Sequence, residues 1–122
     1  MRRNQYQGAS AVALVDEYAA TGERQQRAIE EWDNRTYNRL YPKREAIAAE
    51  LQNRPEDQRT LLLPLLQHPS VQIRLNAGQE LKTIAPAESR QALQSIADSK
   101  YFPYAADAAL ILDDDFLKSL KP

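Results

Sequence analysis

Residues 55–81, PEDQRTLLLPLLQHPSVQIRLNAGQEL, and residues 86–112, PAESRQALQSIADSKYFPYAADAALIL, carry one pattern 31 positions apart. Pro55, Asp57, Arg59, Leu62 and Leu65 are answered by Pro86, Glu88, Arg90, Leu93 and Ile96, and the register continues from Ala77 to Ala108 and from Leu81 to Leu112. In each copy a proline and an acid stand where a helix opens, the position at which a missing N–H and a negative charge cost least. Apolar residues follow at spacings of three and four. A break comes at His68-Pro69-Ser70 in the first copy and at Ser99 to Pro103 in the second, and a second helix follows each. Each copy thus predicts a helical hairpin, which cannot bury its apolar face alone and must stack on a neighbour.

The residues Leu62-Leu63-Pro64-Leu65-Leu66, His68-Pro69, Ile73-Arg74, Ala77 and Leu81 resemble the HEAT repeat signature. The wider pattern is similar to a family of small bacterial HEAT-like domains. It matches at Asn38-Arg39-Leu40, Glu50-Leu51, Arg54, the block from Leu62 to Ala77, and Phe102-Pro103 with Ala105, Asp107 and Ala108. The resemblance implies an all-α fold, a short HEAT-like helical-hairpin stack of the α-solenoid type, right-handed and with about six helices. It also implies a structural, hydrogen-bonding role for Arg74. The second copy departs from the signature, with Tyr104-Ala105 where the first has Ile73-Arg74. Gly78 falls inside a predicted helix, where glycine costs roughly 1 kcal/mol relative to alanine, so close helix packing is its expected role.

Towards the N-terminus, Ser10 is placed to cap a helix from Ala11 to Ala20, with Ala11, Leu14, Val15 and Tyr18 on one face and Gly22 as its stop. Residues 23–54 read as a long helix or two end to end, with a kink or break near Leu40-Tyr41 set by Pro42. The organisation expected is one domain over 1–122, made of N-terminal helices (10–54), a first HEAT-like unit (55–85) and a second (86–114).

With 122 residues, 43% of them hydrophobic and 27% charged, the chain can bury one modest core. The net charge is −1, and cations balance acids 10 to 10 in residues 1–60 and 6 to 7 in residues 61–122. Neither half has the basic excess that phosphate binding favours. The absence of cysteine removes disulfides and thiolate metal sites, which makes a reducing cytoplasm the expected location. Met1 to Gln5 is followed by no apolar run of signal-peptide length, and no stretch reaches the roughly 18 apolar residues of a membrane span.

No nucleophile motif, paired cysteines or phosphate-binding glycine loop is present, so no enzyme, cofactor or metal function is expected. His68, the only histidine, sits before a proline and reads as a turn or capping residue. Asp113, Asp114 and Asp115 point about 100° apart on a helix and cannot converge on one ion, but they can present an acidic patch to a basic partner. Arg35, Arg39, Lys43 and Arg44 with Trp32, Tyr37 and Tyr41 form a basic-aromatic strip interleaved with Glu31, Asp33 and Glu45, and Glu31 lies at ion-pair spacing from Arg35. In stacked hairpins the second helices line one surface, which places Gln72, Asn76, Gln79, Thr83, Asp107 and Asp114 as partner-binding candidates. Their polar or acidic character suits a protein partner. The function expected is a non-catalytic interaction module, such as an immunity protein or antitoxin that masks a toxin, and the alternative is HEAT-like nucleic-acid binding.

Overall fold

The computed structural model describes residues 5–119, and of residues 115–119 the backbone alone. Met1 to Asn4 and the Asp115 side chain lie outside this description. The described residues are all-α: α1 (Ala11–Glu30), α2 (Asn34–Asn53), a 3₁₀ helix (Gln58–Gln67), α3 (Val71–Glu80), α4 (Pro86–Asp98) and α5 (Tyr104–Ser119). They divide into two compact units, one ending at Pro64 and the other beginning at Leu65.

In the first unit α1 packs on α2. Ser10 caps α1 as expected, its side chain accepting from the Ala13 N–H at 3.1 Å. Gly22 does not stop the helix. It is buried within α1, in a stripe with Leu14, Tyr18, Gln25 and Ala28.

The chain reverses instead at Glu31–Asp33. The Trp32 N–H donates to the Ile29 carbonyl at 3.1 Å and the Asp33 N–H to the Ala28 carbonyl at 2.8 Å. This is the paired closure of a helix end whose C′ position ordinarily holds glycine. Trp32 holds it here at φ 58°, a left-handed conformation that costs an L-residue roughly 1–2 kcal/mol.

Asp33 then opens α2, accepting from the Thr36 N–H (3.0 Å) and the Thr36 hydroxyl (2.6 Å). Those bonds, the side-chain one first, hold its carboxyl below the usual range. Pro42 causes no break near Leu40-Tyr41 either. It lies within α2, and both Pro42 and Asn38, whose carbonyl it cannot serve, are exposed, so water can take the lost bond.

Arg54 ties the end of α2 to the segment before α1. Its Nε donates to Glu50 at 2.9 Å, and its Nη2 to the carbonyls of Tyr6 (3.2 Å) and Ala9 (2.7 Å). Pro55 opens a turn rather than a helix, with Glu56 and Asp57 at positive φ, and the helical residues that follow, from Gln58, are 3₁₀. Asp57 grips Arg59 with both oxygens, at 2.8 and 2.7 Å, which lowers its carboxyl from the usual range.

The second unit follows its punctuation closely. Ser70 caps α3 and Pro86 is the first residue of α4. The Ser70 N–H donates to His68 Nδ1 at 3.0 Å, and Arg74 Nη1 donates to the carbonyls of His68 (2.8 Å) and Pro69 (3.1 Å). Both side chains therefore build the turn into α3.

α3 packs on α4 and α5, and α4 packs on α5. Gly78 lets α4 approach, since a Cβ there would lie 3.0 Å from Leu93 Cδ2, and the Ser89 hydroxyl donates to the Gly78 carbonyl. Leu65 and Ile96, equivalent in the 31-residue register, are both buried.

Candidate interaction surface

The α4–α5 corner is held by its own backbone. The Ser99 hydroxyl donates to the Ile96 carbonyl at 2.6 Å and accepts from the Tyr101 N–H at 3.1 Å. The Tyr101 ring meets buried Tyr104 edge-on at 5.0 Å, and the Ala105 N–H donates to the Tyr101 carbonyl at 2.8 Å. This frame carries Phe102 outward, 66% exposed.

α5 is apolar on two sides. Tyr104, Ala105 and Ala108 are buried, whereas Ala106, Ala109 and Leu110 are exposed, Leu110 by 67%. Ala106 and Leu110, four residues apart, lie along one line of the helix surface, and Phe102 stands exposed in the turn just before α5. The buried side already packs within the unit, so the outward line adds nothing to that core.

Asp107, Asp113 and Asp114 flank Leu110 at three and four residues, and no cation occurs from Tyr101 to Asp114. Asp107 is half-buried, and that desolvation raises its carboxyl above the usual range. The surface is therefore a short apolar ridge edged by carboxylates.

The residues expected at a binding surface divide. Gln72 and Asn76 are not on one: they are 1% and 2% exposed, and Gln72 Nε2 donates to Asn76 Oδ1 at 2.8 Å. Their polarity serves a buried bond, because α3 is covered on nearly every side. Gln79, Thr83 and Asp114 are exposed and Asp107 partly so.

The basic-aromatic strip is also broken up. Arg44 is buried with its guanidinium 4.4 Å over the Tyr41 ring, and Lys43 pairs with Glu17 at 3.1 Å. Trp32, Arg35 and Arg39 stay exposed. Glu31 and Arg35 fall on opposite sides of the reversal, so the expected helical ion pair does not form. Tyr101, Phe102 and Leu110 escaped the sequence reading. The signal for Leu110 was available, since α5 has more apolar positions at helical spacing than one buried stripe requires.

An all-α chain with an exposed acidic-apolar helix face and no helix, among the described residues, long and apolar enough to cross a membrane is what the structure defines. The chain belongs to the family described as "Domain of unknown function (DUF2019)", whose model matches residues 12–115. It is similar to the protein RPA1889 from Rhodopseudomonas palustris CGA009. That crystal structure matches with a TM-score of 0.92 and 34% sequence identity, over 98% of this chain and 99% of that one. No curated protein matches the chain. Neither match names a HEAT repeat, and the HEAT resemblance stands on the residues that carry it.

Proposed function

We propose that this chain is a non-catalytic, HEAT-like protein-interaction module of the cytoplasm that binds a cationic protein surface through the Ala106–Leu110 face of α5, with Phe102 of the preceding turn beside it in sequence. The observation that carries the reading is Leu110, an exposed leucine ringed by Asp107, Asp113 and Asp114. A bare apolar ridge on an otherwise satisfied helix marks an interaction site, and the carboxylates select the partner by charge. Phosphate backbones and anionic lipid surfaces are repelled by the same groups. An immunity or antitoxin role fits this chemistry, because toxins that act on nucleic acid carry basic surfaces that an acidic face can mask.

The test is copurification from the native cell with wild-type chain, Leu110→Lys and, as a surface control, Val12→Lys. Wild type and Val12→Lys should retain a protein of basic isoelectric point that Leu110→Lys loses. Recovery of the wild type alone under gentle conditions, or equal capture by Leu110→Lys, contradicts the reading. Nucleic-acid binding is the rival, favoured only by the exposed Trp32, Arg35 and Arg39. Binding whose affinity falls steeply between two salt concentrations would support it.

A further inference from the structure

The reversal between α1 and α2 sets a bulky residue where glycine fits best and then leaves its side chain in water. Trp32 is 89% exposed, the most exposed of the large apolar side chains described. Arg35 and Arg39 lie four residues apart on the adjoining face of α2, both exposed and neither in an ion pair among the described residues. The reversal has separated Arg35 from Glu31, and the carboxyl of Asp33, whose two oxygens accept from Thr36, is held below the usual range by those bonds and then by the charges of Arg39 and Arg35. Tryptophan and arginine are the side chains most enriched where protein interfaces concentrate their binding energy.

We propose that Trp32, Arg35 and Arg39 form a second docking surface, and that its occupant is a second copy of this chain presenting the Ala106–Leu110 face of its α5. The inference rests on reading that face as a binding face. The charges choose the pairing. The α5 face offers Asp107, Asp113 and Asp114 around apolar side chains, and the turn offers two guanidiniums beside an indole.

Two α5 faces brought together would oppose carboxylates, whereas α5 against the turn sets those carboxylates towards Arg35 and Arg39. Such a contact joins unlike surfaces, and each copy carries one of each kind. The contact is small, and Glu31 and Asp33 beside Trp32 weaken the attraction, which places it among weak, concentration-dependent associations.

Trp32 is the only tryptophan, so its emission reports on the turn directly. Sedimentation and tryptophan emission are measured on the full chain from about 1 µM to about 1 mM, the range in which weak association appears. The mean mass should rise with concentration as the emission shifts to the blue, and about 1 M salt should reverse both. Trp32→Ser and Leu110→Lys should each remain monomeric alone. Mixed, they should form a one-to-one dimer that grows no further, because one variant supplies the α5 face and the other the turn.

A mass constant over the whole range, growth unaffected by either variant, or no dimer on mixing overturns the proposal. An emission change on adding oligo-dT at low salt, with none on raising protein concentration, assigns the turn to single-stranded nucleic acid and likewise overturns it. A monomeric wild type that still loses its cationic partner on Leu110→Lys overturns self-docking alone and leaves the α5 reading in place.

Discussion

The residues that usually punctuate helices act differently in the first unit and in the second. In the α1–α2 hairpin the usual punctuators, Gly22 and Pro42, lie inside helices, and the chain reverses at a tryptophan. In the α3–α5 cluster Ser70 caps α3, Pro86 starts α4 and Pro103 immediately precedes α5. A cap or an N1 proline acts on its immediate neighbours whatever the tertiary context. The Trp32 reversal follows from packing: the buried stripes Leu14–Tyr18–Gln25 and Leu40–Ile47–Leu51 can pair only if the chain turns between them. Local caps open helices in both units, Ser10 and Asp33 among them, and tertiary packing overrides the local punctuators only at Gly22 and Pro42.

The sharpest way to break this contrast is through the 31-residue register. Leu65→Ala and Ile96→Ala should each cost about 2–5 kcal/mol in denaturant unfolding, since each removes buried apolar surface and leaves a cavity. A near-neutral result for one of them would dissolve the repeat and make the good punctuation of the second unit a coincidence.

Next in size is Gly78→Leu, which drives a side chain into Leu93 and the Ser89 bond. Overpacking of this kind typically costs about 1–3 kcal/mol. A wild-type melting temperature would show that α3 and α4 do not need the glycine approach.

Trp32→Gly should have the opposite sign. It relieves the left-handed backbone, partly offset by glycine's greater freedom in the unfolded chain, and should stabilise by about 0.5–1 kcal/mol. A loss of stability would mean that the indole packs within its own unit after all.

The smallest effect is electrostatic. Burial raises the folded pKa of Asp107 above its unfolded value. Stability therefore falls as pH rises from the ordinary aspartate range, near about 3.9, through the raised folded value, and stays lower at neutral pH. Asp107→Asn should melt slightly higher than wild type at pH 7 and level with it near pH 3. Asp33 and Asp57, with lowered pKa values, work the other way: their stabilisation is present above the ordinary range and is lost as pH falls through their folded values. An unchanged gap between Asp107→Asn and wild type across this window would remove desolvation as the cause.

The all-α class, the breaks at His68–Ser70 and Ser99–Pro103, the turn role of His68 and the packing role of Gly78 were legible because each depends on neighbours in sequence or on a repeated spacing. For Arg74 the HEAT resemblance implied a structural bond across the repeat, whereas the bonds found lie in the turn before α3. The reversal at Trp32 was not legible, because a tryptophan stands where glycine ordinarily closes a helix, and the Asp33 cap alone does not mark the turn. Gln72 and Asn76 misled for a related reason. A polar pair at i, i+4 reads as a solvent-facing stripe, yet here the Gln72 amide donates to the Asn76 carbonyl and both side chains are buried. Leu110 was overlooked because a leucine on a helix reads as core until the buried side is seen to be filled by Tyr104, Ala105 and Ala108.

The face of α5 can be probed most directly by replacing Leu110 with a photo-crosslinking residue in the full chain, in the native cell, with the same replacement at Val12 as reference. The expected result is a discrete covalent adduct at position 110, absent at position 12, joining the chain to a protein of basic isoelectric point. No adduct at position 110, or the same adducts at both positions, would contradict the reading of this surface as the chain's binding face.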